Sequence, residues 1–386
     1  MQRFRFNTAP SIIFEPGSGE RLGETVGNRL GSTVLFVTDL GLRKLGLCDG
    51  AVISLQASGL AVTIFDAVEA DPSRATLEKA VEAGKTAKVS SVVGFGGGSS
   101  LDVAKLAALL LGSSEDLDGA WGVGQAKGPR LPLVLVPTTA GTGSEVTPVS
   151  IITVGADEKR GVSSPILLPD VAVLDPDLTL GLPPAITAAT GIDAMVHAIE
   201  AYASTNANNN PLSKMLAREA LRLLGANIER ALADGSDRAA REAMLLGSML
   251  AGQAFANSPV AAVHALAYPI GGTFHVPHGL SNALVLPHVL HFNAPVAADL
   301  YAEIAADAFP ELSGVTEAQA RTTAFVEALA SLSSKLGLPQ RLRDVGIGEE
   351  HLAKLASDAM KQGRLLVNNP RPLAEADALA IYQAAW

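Results

Sequence analysis

The stretch GFGGGSSLDVAK, residues 94–105, sets Gly96, Gly97, Gly98 and Ser99 between an apolar run at 90–95 (SSVVGF) and a helical pattern at 101–111. A strand that ends in glycines and passes straight into a helix aims backbone N–H groups and a helix N-terminus outward from its carboxyl end. That arrangement binds phosphate. Glycine is needed there because a side chain would hold a diphosphate away from the backbone, although glycine also serves any tight turn. The spacing departs from G-x-G-x-x-G, so the turn is not the ordinary Rossmann fingerprint. A P-loop at Gly84-Lys85-Thr86 is excluded, because Lys79 stands where its first glycine belongs.

Outward from this turn, residues 33–37 (TVLFV), 61–65 (AVTIF) and 131–136 (LPLVLV) are further short runs rich in β-branched residues, and 75–87 repeats the helical pattern. Alternation of this kind predicts βαβ units and a parallel sheet. A last strand at 171–174 ends at Asp175-Pro176. Beyond it, 183–203, 211–233, 237–256 and 316–336 read as helices and no strand pattern returns. The expected architecture is an α/β dinucleotide-binding domain over 1–180, followed by an all-α domain over 181–386.

A second turn, VPTTAGTGSEVT, follows the 131–136 run and brings Thr138, Thr139 and Thr142 to the same edge. Their hydroxyls suit a sugar or phosphate, or the capping of their own loop. Asp39 ends the first strand. An acid there accepts from an adenosine ribose and repels a 2′-phosphate, which favours NAD over NADP; it equally suits the N-cap before Leu40. Arg43 and Lys44 close by keep NADP open.

The helical half carries a different chemistry. Asp193 and His197 in GIDAMVHAIEAY are four residues apart, on one face of a helix. His264 and His278 follow in VHALAYPIGGTFHVPHG, too far apart for one straight helix to bring both to an ion. A turn is therefore expected between them, at Pro269, Gly271 and Gly272. A single buried histidine is usually a hydrogen-bonded core residue. Here five of the seven histidines fall between 264 and 291, and residues 244–272 contain no Asp, Glu, Lys or Arg. That run is interrupted by Gln253, Asn257, Pro259 and Pro269 and lacks basic flanks, so a buried helix is expected rather than a membrane span. One carboxylate with three imidazoles suits Fe(II) or Zn(II) better than Mg(II).

Composition narrows the partners. The net charge of −10 argues against nucleic acid and anionic membranes. The one cysteine, Cys48, excludes a disulfide framework, and MQRFRFNTAP contains no signal-like apolar run, so a reducing cytoplasm is expected. With 48% hydrophobic residues and a mean hydropathy of +0.28, some apolar surface is expected between subunits, in a homodimer or higher homo-oligomer.

GGGSSLD, VPTTAGTGSE, GIDAMVHAIEAY and VHALAYPIGGTFHVPHG, in this order and at these separations, resemble the iron-containing (group III) alcohol dehydrogenases over the whole chain. The resemblance implies a dehydroquinate synthase-like fold with the active site between its two domains, and a small alcohol or aldehyde as substrate. It implies Asp193, His197, His264 and His278 as metal ligands. Gly97, Gly98, Ser99, Asp102, Thr138, Thr139 and Thr142 become cofactor contacts, with Lys159 on the nicotinamide side and Asp39 at the adenosine ribose. Phe255 matches an aromatic beside the substrate. The chain departs from the pattern at Tyr268, where many relatives carry a second histidine four residues after the third ligand. Tyrosine does not titrate near neutral pH, so His275 is the candidate substitute for moving a proton, against an ordinary turn residue.

The expected activity is hydride transfer between a nicotinamide and an alcohol carbon, with a divalent ion, iron first and zinc second, as Lewis acid. An alternative is a lyase on a phosphorylated substrate, as in dehydroquinate synthase. It needs a basic phosphate cluster, for which only His275 and Arg371 offer themselves. A nucleotide-binding protein without catalysis would need no metal ligands.

Overall fold

The computed structural model of the chain describes residues 3–155 and 158–386. They form two compact units, one of residues 7–180 and the other of residues 181–386 with residues 3–6. The short N-terminal piece is held to the helical unit by a reciprocal pair. Arg5 N donates to Asn208 Oδ1 at 2.8 Å, and Asn208 Nδ2 donates to Arg5 O at 2.9 Å.

In the first unit, β1 (Ser11–Phe14), β2 (Thr33–Val37), β3 (Ala61–Phe65), β4 (Ser91–Gly96), β6 (Leu133–Pro137) and β9 (Val171–Leu174) build one parallel sheet in the order β1-β9-β6-β4-β2-β3. Alternation along each strand fills both faces. Leu35, Val37, Val92, Leu133 and Leu135 face one buried cluster, and Val34, Phe36, Val93, Phe95 and Val136 face the other. Sheets buried on both sides by helices are normally parallel. Here α1 (Asp49–Ala57), α2 (Arg74–Thr86) and α3 (Gly98–Gly112) supply helical cover. The chain runs from β2 outward to β3, then returns to the other side of β2 for β4, so the strand order reverses between β2 and β4.

Two features of this unit were not expected. β1 is only four residues long and pairs with β9 at the sheet edge. A second, three-stranded sheet, in the order β5-β8-β7, contains β5 (Gly122–Val123), β7 (Val149–Val154) and β8 (Glu158–Ser163). β8 reads EKRGVS, so its polar composition hides its pairing with β7 from any hydrophobic pattern.

In the second unit the described residues contain no strand. Its longer helices are α4 (Pro184–Ala203), α5 (Pro211–Ala233), α6 (Arg238–Asn257), α7 (Ala262–Phe274), α8 (His278–Ala308), α9 (Ala318–Lys335), α10 (Leu352–Met360) and α11 (Glu375–Ala385). The apolar run at 244–272 is two helices rather than one, broken at residues 258–261. The turn between His264 and His278 also lies elsewhere than expected. α7 continues through Pro269, Gly271 and Gly272, and the chain reverses at His275, Val276 and Pro277. Proline removes one backbone donor from a helix interior. Next to it the Tyr382 hydroxyl donates to Leu266 O at 2.6 Å, adding a hydrogen bond from α11. α8 likewise runs 31 residues through Pro287 and Pro295. Among the described residues no helix is long and apolar enough to cross a membrane.

Candidate functional site

Three helices of the second unit deliver the ligand candidates. α4 carries Asp193 and His197 one turn apart, α7 places His264 in its first turn, and α8 begins at His278. Gly279 lets α8 start there, because a Cβ at that position would lie 2.2 Å from Ala189 O on α4. One candidate atom from each of Asp193, His197, His264 and His278 lies within 4.8 Å of all the others. His278 Nε2 is 3.7 Å and His264 Nε2 is 3.9 Å from Asp193 Oδ1. Ligands held about 2.1 Å from one ion stand roughly 3–4 Å apart, so closure by less than about an ångström would let these four grip one.

The surroundings fit such an ion. Asn282, one turn past His278 on α8, donates to Asp193 Oδ1 at 2.6 Å, and its Nδ2 is 3.3 Å from His264 Nε2 and 3.4 Å from His278 Nε2. A carboxylate and two imidazole nitrogens thus converge on one point. Burial pushes the Asp193 carboxyl up, but the three imidazoles and the Asn282 amide more than offset it and hold it below the usual carboxylate range. Asp193 and His264 are buried, whereas 37% of the His278 side chain is exposed, so the group is open to solvent on the His278 side. Phe255 stacks on His197 with ring centroids 4.3 Å apart, and Tyr268 stands 5.8 Å from the His278 ring and 6.5 Å from that of His264. His275 is the exposed C-cap of α7, in the left-handed region at φ 55°. His275 occupies the turn, and Tyr268 is the one beside the imidazoles.

The nucleotide candidates lie in the first unit. β4 ends in Gly96, and α3 starts at Gly98 with Gly97 at its N-cap and no side chain capping it, which leaves its first N–H groups for a ligand. Gly98 is also a close approach, since a Cβ there would meet Thr142 Cγ2 at 2.8 Å. Ser99 is in the first turn of the same helix. The turn lies beside the reversal between β2 and β4, where open α/β sheets bind ligands. Asp39 ends β2 on the other side of that reversal. Its carboxylate accepts from Leu42 N at 3.0 Å, so it serves as the N-cap.

The loop bearing Thr138, Thr139 and Thr142 follows β6, the other neighbour of β4, and Thr138 N donates to Gly96 O at 3.0 Å. Two residues that the resemblance gave to the cofactor also make contacts within the protein. Asp102 accepts from Ser144 Oγ at 2.6 Å and Ile151 N at 2.8 Å. Lys159 pairs with Asp71 at 2.6 Å and donates to Thr153 at 3.1 Å.

Three participants were missed in the sequence. Lys105, fully buried, donates to Ser144 Oγ at 2.7 Å, Thr147 Oγ1 at 3.2 Å and Val149 O at 2.7 Å, which pins the threonine loop to α3. Its signal was a lone lysine in the apolar helix LDVAKLAALLLG. Asn282 is four residues past His278, and Glu200 is seven past Asp193. Helical spacing puts each on the face of a ligand.

The nitrogen-rich donor set suits Fe(II) or Zn(II) better than the oxygen-preferring ions of phosphoryl transfer, and the sheet of the same chain offers a candidate dinucleotide turn. Comparison with known proteins agrees. Residues 9–176 match the family described as "Iron-containing alcohol dehydrogenase", and residues 187–386 match "Fe-containing alcohol dehydrogenase family, C-terminal". The chain belongs to the iron-containing alcohol dehydrogenase family. It is 44% identical over 385 residues to Long-chain-alcohol dehydrogenase 1 of Geobacillus thermodenitrificans (strain NG80-2), which covers 97% of this chain and 96% of the relative. Among solved structures, a 1,3-propanediol oxidoreductase matches at a TM-score of 0.95 and 35% identity over 100% of both chains. The sulfoacetaldehyde reductase from Bifidobacterium kashiwanohense in complex with NAD+ matches at 0.86 and 28%, over 100% of this chain and 99% of that one.

Proposed function

We propose that the protein is an NAD-linked, iron-dependent alcohol dehydrogenase or aldehyde reductase, transferring hydride between the nicotinamide and a small alcohol or aldehyde. The observation that carries this reading is the convergence of Asp193, His197, His264 and His278 on one point. These four would hold the ion, which when bound supplies a Lewis acid for an alcohol or carbonyl oxygen. The nicotinamide supplies or accepts the hydride.

The chain's own residues do the rest. Phe255, packed on His197, provides an apolar wall that excludes water, and the Tyr268 hydroxyl offers a hydrogen bond to a polar substrate group. The uncapped N–H groups of α3, with Ser99 and the hydroxyls of Thr138, Thr139 and Thr142, hold the diphosphate and sugar. Asp39 disfavours a 2′-phosphate. Arg43, the cation that would welcome one, is drawn to Asp49 at 2.7 Å and to Asp66 at 3.8 Å. We place the enzyme in the cytoplasm as a homo-oligomer, on its charge, its single cysteine and its apolar composition.

The named relatives share the alcohol–aldehyde oxidation level and differ in what the carbon bears, so the reaction class transfers more readily than the substrate. The lyase alternative is not favoured. Of its two phosphate candidates, His275 sits at an exposed turn, and Arg371 is committed to Phe292, donating to its carbonyl at 2.9 Å and stacking at 4.1 Å from its ring.

The test is to purify the protein without oxygen, load it with Fe(II) and follow cofactor absorbance over a panel of short aldehydes. NADH should be consumed. A clear preference for NADPH would show that Asp39 does not select the cofactor, and oxidation of neither cofactor by any aldehyde would sink the proposed activity.

A further inference from the structure

Glu200 follows Asp193 by seven residues and His197 by three, so all three lie on one face of α4. Its side chain is 5% exposed. Oε1 accepts from the backbone N–H of Val263 at 2.6 Å, and Oε2 lies 2.6 Å from His264 Nδ1. Both contacts fall on the first turn of α7, whose own N-cap position, Ala261, offers no side-chain hydrogen bond. A carboxylate from α4 thus caps α7 across the helix pair and grips the imidazole beside that cap.

From this geometry we infer that Glu200 is a positioning residue for the metal centre. It keeps the His264 proton on Nδ1, leaves the Nε2 lone pair toward Asp193 and His278, and sets the register of α7 on α4. The inference rests on reading the four converging side chains as metal ligands. An ionised carboxylate only accepts hydrogen bonds, so the nitrogen facing it must be the protonated one, and partners of this kind orient ligating histidines and raise their basicity. The opposite tautomer would aim an N–H into the ligand group and abolish binding.

Glu200→Gln discriminates this role from simple capping. The glutamine oxygen still accepts from Val263 N–H, but its amide then donates toward His264 Nδ1 and favours the wrong tautomer. A residue that only capped α7 would tolerate the change. Full-length wild type and Glu200→Gln, both stripped of metal, are titrated with Zn(II) against a competing chelator while circular dichroism follows folding. The wild type is expected to bind one ion per chain, and the folded variant to bind it roughly 10–100-fold more weakly. Histidine-selective 15N spectra of the metal-free wild type give a second readout that needs no variant, and His264 is expected as the Nδ1–H tautomer. A folded variant with wild-type affinity, or a wild-type His264 protonated on Nε2 alone, overturns the inference and leaves the ligand assignment standing. A wild type that binds no ion removes both. Should the variant not fold, the wild-type tautomer decides.

Discussion

Glu145, in the segment just after Thr138, Thr139 and Thr142, is 2% exposed, and burial pushes its carboxyl up to about 7 although its own backbone amide and Lys105 pull it down. An unfolded glutamate titrates near 4.3, roughly, so folding takes up a proton between there and about 7. The folded-state value is raised. Its contribution is therefore fully present below the unfolded value and is lost as pH rises through the folded one. The total is about 4 kcal/mol, and urea unfolding across this range should show stability falling with pH, less steeply in Glu145→Gln. An unchanged slope in that variant would contradict the assignment.

The same scale explains what the sequence disclosed. Asp193, His197, His264 and His278 were legible because histidine is scarce in this chain and their surroundings are apolar. Lys105, Asn282 and Glu200 were not, because a lysine, an amide and a glutamate on a helix are ordinarily solvated, and only tertiary packing reveals their partners. Asp102 and Lys159, which the resemblance gave to the cofactor, each also make contacts within the protein.

Among elements, the junction of α4 and α8 controls the site most directly. Gly279→Ala would drive a methyl group into Ala189 O, forcing α8 away from α4 at the residue after His278. Overpacking of this kind costs about 1–3 kcal/mol. The variant should melt earlier and lose metal affinity together, as thermal unfolding and a chelator titration would report; unchanged affinity would mean that His278 is placed by something else. Element boundaries read well where one periodicity dominated, as in β2, β3, β9 and α5. They failed where the pattern was polar, as in β8, or where proline suggested a break that neighbours absorb. Pro269 within α7 is such a case. The reversal at His275 uses a non-glycine residue in the left-handed region, which the nearby glycines had disguised.

At the scale of the whole molecule, alternating strands and helices followed by helices alone predicted both layers of the architecture. Local hydrophobic period carries that information without any tertiary contact. The function joins two chemistries, a glycine turn at a sheet reversal and a nitrogen-rich ligand group on three helices, and it fails if the second holds no ion. Metal content per chain tests this most directly. Purified without oxygen and loaded with Fe(II), the wild type should retain one divalent ion per chain, and His264→Ala, with its helix content intact, should retain none and turn over no aldehyde. A folded His264→Ala that keeps both its metal and its turnover would contradict the account.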